Sequence, residues 1–225
     1  MESRRERVWE RISDKFIKFY SQNDRAINLK AMPGHFATSS SHVNYYIDIT
    51  NLKARAKEAR EVAKSMESLL LHHVTTVDTI VCMDGTNVVG AYLAEELERG
   101  HFSNNNKHET VYVIEPEVNS IGQLMFRESI RMAVEGKNVL VLLATSTTGE
   151  TLKKSLECIE YYGGNIVGVT AIFGAMDKVD KYEVFPVFTP DDLPSYETYT
   201  PSECPYCKKN IPITGIVNGY GMSLL

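Results

Sequence analysis

Four hydroxyl residues in a row, Thr145, Ser146, Thr147 and Thr148, followed by Gly149, stand between the apolar run VLVLLA and the helical pattern ETLKKSLECIEYYGG. A strand, a hydroxyl-rich turn and a helix start in that order suit a phosphate monoester. The first amides of a helix have no partner within it and point at whatever lies at the N-terminus. The macrodipole adds partial positive charge there, and Ser and Thr hydroxyls donate to phosphate oxygens. Four hydroxyls exceed what one helix cap requires, although a plain crossover with a Thr-rich cap is the other reading. The candidate phosphate residues are thus Thr145, Ser146, Thr147, Thr148, Gly149, Glu150 and Thr151.

A second group is Asp84, Gly85, Thr86 and Asn87. Gly85 permits close backbone approach, so the turn could offer amides to a pyrophosphate or be an ordinary strand–helix turn. Arg127 and Arg131 lie one turn apart on an expected helix and could face an anion, or be a solvated pair. Cys204 and Cys207 have the spacing of a zinc knuckle, yet a structural zinc needs four ligands and there is no second CxxC. A histidine or a symmetry mate could complete a Zn2+ site; redox chemistry or two reduced thiols are the alternatives. Cys82 and Cys158 fall in an expected strand and helix and read as core thiols.

The elements that must carry these groups alternate. Strands are expected at 43–49, 77–83, 110–114, 139–143, 166–173 and 182–188, and helices at 4–21, 51–73, 88–98, 121–134 and 150–162. Met32-Pro33-Gly34 reads as a chain break, and Gly163-Gly164 as a helix stop. Strands alternating with helices predict an α/β fold, a central parallel sheet flanked by helices. In such sheets the loops after the strands gather at one edge, where ligands bind. Asp84–Asn87 and Thr145–Gly149 both follow strands and belong to that edge.

The same loop resembles the signature of the type I phosphoribosyltransferases: an apolar strand, two acidic residues, two variable residues, then Thr-Thr-Gly. Thr147-Thr148-Gly149 match its end, while the acidic positions fall on Leu143 and Ala144. Gly34–Asp48 and Asp78–Leu97 are similar to the early segment and the pyrophosphate turn of orotate phosphoribosyltransferases, and the likeness covers about residues 30–190. The resemblance implies a phosphoribosyl or nucleotide ligand, transfer to orotate or a related base, Mg2+, and a homodimer. The alternative is a non-catalytic nucleotide-sensing module on the same fold. In the family the absent acidic pair holds the ribose hydroxyls; Glu150 reads as a first-turn carboxylate that favours the helix dipole, and could instead approach a ribose hydroxyl or magnesium in place of that pair. Lys30, Phe36, Ser39, Ser40, Ser41, His42 and Tyr45 could form a base-binding hood, with His35 and His42 bonding a ring or a metal. The basic mobile loop of active orotate enzymes has no counterpart in NKHETVYVIEPEVNSIGQLMFRE.

Length and composition bound the rest. At 225 residues the chain can bury a sizeable core. We expect a phosphoribosyltransferase-like domain over 1–190, its hood at about 1–50, and a loop-rich extension over 191–225. The net charge of −5, with no long basic run, argues against nucleic acid. No apolar stretch suits a signal peptide or a membrane span, and four cysteines do not suggest a disulfide scaffold. The cytoplasm is the expected compartment and a phosphorylated small molecule the expected partner.

Overall fold

A computed structural model describes residues 15–22, 24–100, 102–120, 123–146, 149–218 and 221–225, with the backbone alone at Glu150 and Thr151. In chain order the described strands are β1 (Ile17–Tyr20), β2 (Asn28–Ala37), β3 (His42–Asp48), β4 (Thr79–Cys82), β5 (Tyr112–Ile114), β6 (Glu117–Val118) and β7 (Leu124–Met125). They continue with β8 (Asn138–Ser146), β9 (Asn165–Gly174), β10 (Lys178–Val179), β11 (Tyr182–Phe188), β12 (Thr198–Tyr199), β13 (Gly215–Asn218) and β14 (Gly221–Leu224). The helices are α1 (Thr50–Ala54), α2 (Ala56–Leu70), α3 (Asn87–Arg99), α4 (Glu128–Arg131), α5 (Glu150–Tyr161) and α6 (Pro205–Lys208). They form two compact units, Thr50–Thr189 and the combination of Met1–Ile49 with Pro190–Leu225.

The Thr50–Thr189 unit is the expected α/β sheet. Its strands run in the order β10-β11-β9-β8-β4-β5, parallel throughout except for the β10 edge. A parallel strand buried on both faces reads as a continuous apolar run, and β8 is buried from Val139 to Ala144. The two-residue period splits its side chains between faces. Val139, Val141 and Leu143 share a core cluster with Leu152, Leu156 and Ile159 of α5, while Leu142 approaches Gly90 of α3. Helices therefore cover both faces. Each fully buried Leu or Val contributes about 1.5–3 kcal/mol. At the sheet's other end, the buried Asp78 carboxylate accepts from the Asn138 backbone and side chain, both at 2.9 Å, and from the Asn105 backbone.

In the other unit, β2 forms the spine of a sheet ordered β12-β3-β2-β13-β14. One edge of β2 pairs with β3, and the other with β1 at its start and β13 at its end. Met32, Phe36, Val43, Tyr46 and Val217 make its core. Strands from before Ile49 and after Pro190 thus pair in one sheet.

Several local expectations change. The expected helix over 4–21 lies mostly outside the described residues, and its end is strand β1. Met32-Pro33-Gly34 does not break the chain: β2 runs through it, and a register shift between Pro33 and Phe36 absorbs the irregularity. The helix expected over 51–73 divides at Arg55, which is extended (φ −93°, ψ 125°). The one expected over 121–134 shrinks to α4, because Leu124–Met125 pair with Glu117–Val118 instead.

Gly90 lets α3 lie against β4. A methyl there would run into the Cys82 sulfur and stand 3.1 Å from Val113 Cγ1. Gly90→Ala should therefore cost about 1–3 kcal/mol by overpacking. Adding Cys82→Ala should recover part of that loss in urea unfolding, which checks the contact directly.

Candidate functional site

Strands β4 and β8 are parallel neighbours in register, with Cys82 opposite Leu142. Their C-terminal ends therefore deliver the Asp84–Asn87 turn and the hydroxyl turn side by side. Two bonds tie the Asp84–Asn87 turn to β8: the Met83 amide donates to the Leu142 carbonyl at 2.8 Å, and the Thr86 hydroxyl reaches the same oxygen at 3.3 Å. Thr86 is buried and also bonds the Met83 carbonyl at 2.8 Å, so its hydroxyl helps to organise the turn. Asn87 is exposed and donates to Glu115 at 2.8 Å.

Asp84 and Gly85 both have positive φ, 55° and 72°. The buried ammonium of Lys53 in α1 donates to the Asp84 carbonyl at 2.7 Å, which places a cation at the turn. Burial raises the Asp84 carboxyl pKa; Lys53 opposes this and Glu115 adds to it. Sequence reading missed Lys53. Its signal was a lysine directly after Leu52 on the apolar side of the expected helix.

In the hydroxyl turn, Ser146 ends β8 and is buried, and among the described residues its Oγ has no hydrogen-bond partner. A buried hydroxyl without a partner is uncommon and costs stability. Gly149 caps α5 in the left-handed region (φ 74°, ψ −10°). A Cβ there would meet Met176 Sδ and Val179 Cγ2, both at 3.2 Å. Thr147 and Thr148 lie outside the described residues, as do the side chains of Glu150 and Thr151. Thr145 is half-buried on the last turn of the strand.

The two positions before this turn, Leu143 and Ala144, are buried and carry no oxygen. The Mg2+ and ribose grip that the resemblance implies thus finds no carboxylate there, and these residues do not fit it. The arginines do not face an anion site either: Arg127 pairs with Glu117 at 2.7 Å, and Arg131 with Glu135 at 3.2 Å and Glu128 at 3.7 Å.

Elsewhere, the expected base-binding residues divide. Phe36 is fully buried in the core of its own sheet and has no face for a base. Ser41 is buried and bonded to Thr38, whereas Ser39 is exposed and Lys30, Ser40 and Tyr45 are half-buried. His42 turns toward a different group. His35, His42, Cys204 and Cys207 present ligand atoms all within 4.8 Å of one another, a set that could hold a metal ion. Burial, and then the neighbouring His35, lower the His42 pKa, favouring its neutral ring.

No family profile matches the chain. Orotate phosphoribosyltransferases do: that of Thermoanaerobacter sp. (strain X514) is 28% identical over 181 residues, 80% of this chain and 86% of that protein. The Thermotoga maritima enzyme is 29% identical over 188 residues, 80% and 88% of the two chains. Among solved structures, the orotate phosphoribosyltransferase of Aeropyrum pernix superposes with a TM-score of 0.51 at 17% identity, covering 72% of this chain and 88% of that one. The chain is thus similar in sequence to orotate phosphoribosyltransferases and shares the fold of a solved one. Leishmania donovani UMP synthase gives a TM-score of 0.54 at 18% identity over 80% of this phosphoribosyltransferase-like chain, which spans 36% of that longer protein. Among the described residues no helix is long and apolar enough to cross a membrane.

The Asp84 carboxyl gives a pH test. Its folded pKa is raised above the unfolded value. The stability it contributes is therefore present below the unfolded pKa and is lost as pH rises through the folded one. Asp84→Asn, which also suits a positive φ, should melt above the wild type at about pH 7, and the gap should close near pH 3. Parallel melting curves across that range would show a carboxylate already satisfied by the fold.

Proposed function

We propose that this chain binds a phosphoribosyl ligand or 5′-nucleotide through its phosphate, without the ribose grip that efficient transfer needs. The observation carrying this reading is the end of β8: after the oxygen-free Leu143 and Ala144 come the buried Ser146 hydroxyl, without a partner among the described residues, and the left-handed Gly149 at the start of α5. The phosphate takes the first amides of α5 and the hydroxyls of the turn, as the helix N-terminus favours. The neighbouring Asp84–Asn87 turn, with Lys53 beside it, suits a second anionic group. Binding without two ribose carboxylates is a sensing or regulatory role on a transferase scaffold.

A second reading, transfer of phosphoribose to orotate or a related base, is favoured by the named relatives that align over four-fifths of the chain. Transfer would then rest on positioning and charge stabilisation.

Calorimetric titration with a 5′-nucleotide, beside a turnover assay with phosphoribosyl pyrophosphate, magnesium and several bases, separates the two. We expect binding and no turnover. Gly149→Ala should weaken nucleotide binding by about tenfold, or 1.4 kcal/mol, or more, since a methyl meets Met176 and Val179 and strains a left-handed backbone. Undiminished binding in a folded Gly149→Ala protein sinks the phosphate site. Turnover at the rate of an active transferase sinks the sensing role alone.

A further inference from the structure

His35 and His42 sit on β2 and β3, the two strands of one hairpin, while Cys204 is the N-cap of α6 and Cys207 lies within it. His35, His42 and Cys204 are buried, and Cys207 is exposed. The atom separations are 3.0 Å for His35 Nε2 to His42 Nδ1, 3.5 Å for His35 Nε2 to Cys204 Sγ, 3.7 Å for His35 Nε2 to Cys207 Sγ and 3.4 Å for His42 Nδ1 to Cys207 Sγ. Zinc bond lengths of about 2.3 Å to sulfur and about 2.05 Å to nitrogen imply tetrahedral edges of about 3.6 Å for N···S and about 3.3 Å for N···N. All three N···S separations lie close to that edge, and the N···N pair is slightly short.

Hydrogen bonding alone does not account for this convergence. His35 Nδ1 donates to the Ile211 carbonyl at 3.0 Å, which leaves Nε2 as the ring's single lone pair. Three groups crowd that one acceptor: His42 Nδ1 and both cysteine sulfurs. One lone pair cannot serve three donors well, whereas a cation bound by four lone pairs is served by all of them. The Ile211 bond is the kind of outer contact that fixes the tautomer and orientation of a metal-bound histidine. Tyr206 stacks on the His35 ring, 5.2 Å between centroids at 20°. The His35 backbone is held by Thr214, whose Oγ1 accepts the His35 amide at 3.2 Å and whose amide donates to the His35 carbonyl at 2.6 Å.

We propose that His35, His42, Cys204 and Cys207 bind one structural Zn2+, which fastens the α6 turn to the β2–β3 hairpin. Two thiolates and two imidazoles are a soft, four-coordinate set that suits zinc over magnesium or calcium. Four protein ligands leave no open position for a substrate, so the ion is structural rather than catalytic. Among the described residues of the unit it staples, Met32, Phe36, Val43, Tyr46 and Val217 pack as one apolar cluster. A bound metal adds cohesion to such a sheet. This inference does not depend on the phosphate site, because its readout is metal content.

The test uses the full chain, untagged and kept reduced. Elemental analysis should find one zinc per chain, and a strong chelator should remove it and lower the melting temperature. Refilling with Co2+ should give the visible bands of a tetrahedral ion and a near-ultraviolet thiolate charge-transfer band. Cys207→Ser, at the exposed ligand, should lose most of the zinc and weaken that band, and His42→Ala should lose zinc as well. A reduced wild-type protein that carries no zinc and gives no tetrahedral cobalt spectrum overturns the site. So does a native Cys204–Cys207 disulfide with no metal, or a histidine variant that keeps a full equivalent. Should a variant fail to fold, the wild-type cobalt spectrum and chelator melt decide alone.

Discussion

A strand buried on both faces and bonded along both edges keeps its interior residues out of water, and this constraint governs the region around β8. Its neighbours β4 and β9 take its backbone groups, and core packing takes its side chains. Any carboxylate near its carboxyl end would lose hydration and cost several kcal/mol unless a ligand or cation compensated it. Leu143 and Ala144 avoid that cost altogether. Leu143 joins the α5 cluster instead. Polarity resumes only at Thr145 and Ser146, where the sheet runs out and the turn begins.

The α/β unit was legible because its signals are local and strong. Strand β11 spans the predicted 182–188, and α5 ends within one residue of the expectation, just before the Gly163-Gly164 stop. Parallel strands show as unbroken apolar runs, and glycines mark where helices stop. The errors arose where one residue type has two meanings. Pro33 was read as a break, yet it occupies an exposed position beside a register shift, where a strand tolerates a missing donor. Leu124 and Met125 fit a helical period but are taken by a two-strand pairing with Glu117 and Val118. Periodicity cannot weigh a competing partner elsewhere in the chain.

The candidate phosphate turns were legible as neighbours because a parallel sheet forces the loops after adjacent strands together. Lys53 was not, since a lysine beside Leu52 ordinarily extends its head to water, whereas here the ammonium is buried on the Asp84 carbonyl. Arg127 and Arg131 look similar in sequence but are matched by nearby glutamates, which only the fold reveals. His35 and His42 could be named as metal-binding candidates from type alone. Their match with Cys204 and Cys207 could not, because 169 residues separate His35 from Cys204 and no local spacing encodes that meeting.

That separation also sets an order of events during synthesis. The Thr50–Thr189 unit is continuous in the chain, so its sheet can assemble while later residues are still being made. The β2–β3 hairpin, although synthesised before that unit, must wait for β12, β13 and the α6 turn before its sheet and the group of two histidines and two cysteines are complete. Closing so long a loop is entropically slow. Until it closes, β2 exposes an edge that β13 will later fill, together with apolar side chains destined for the core. The newly made amino-terminal segment is therefore the part of this chain with most need of a chaperone, and a truncation near residue 190 leaves it permanently in that state.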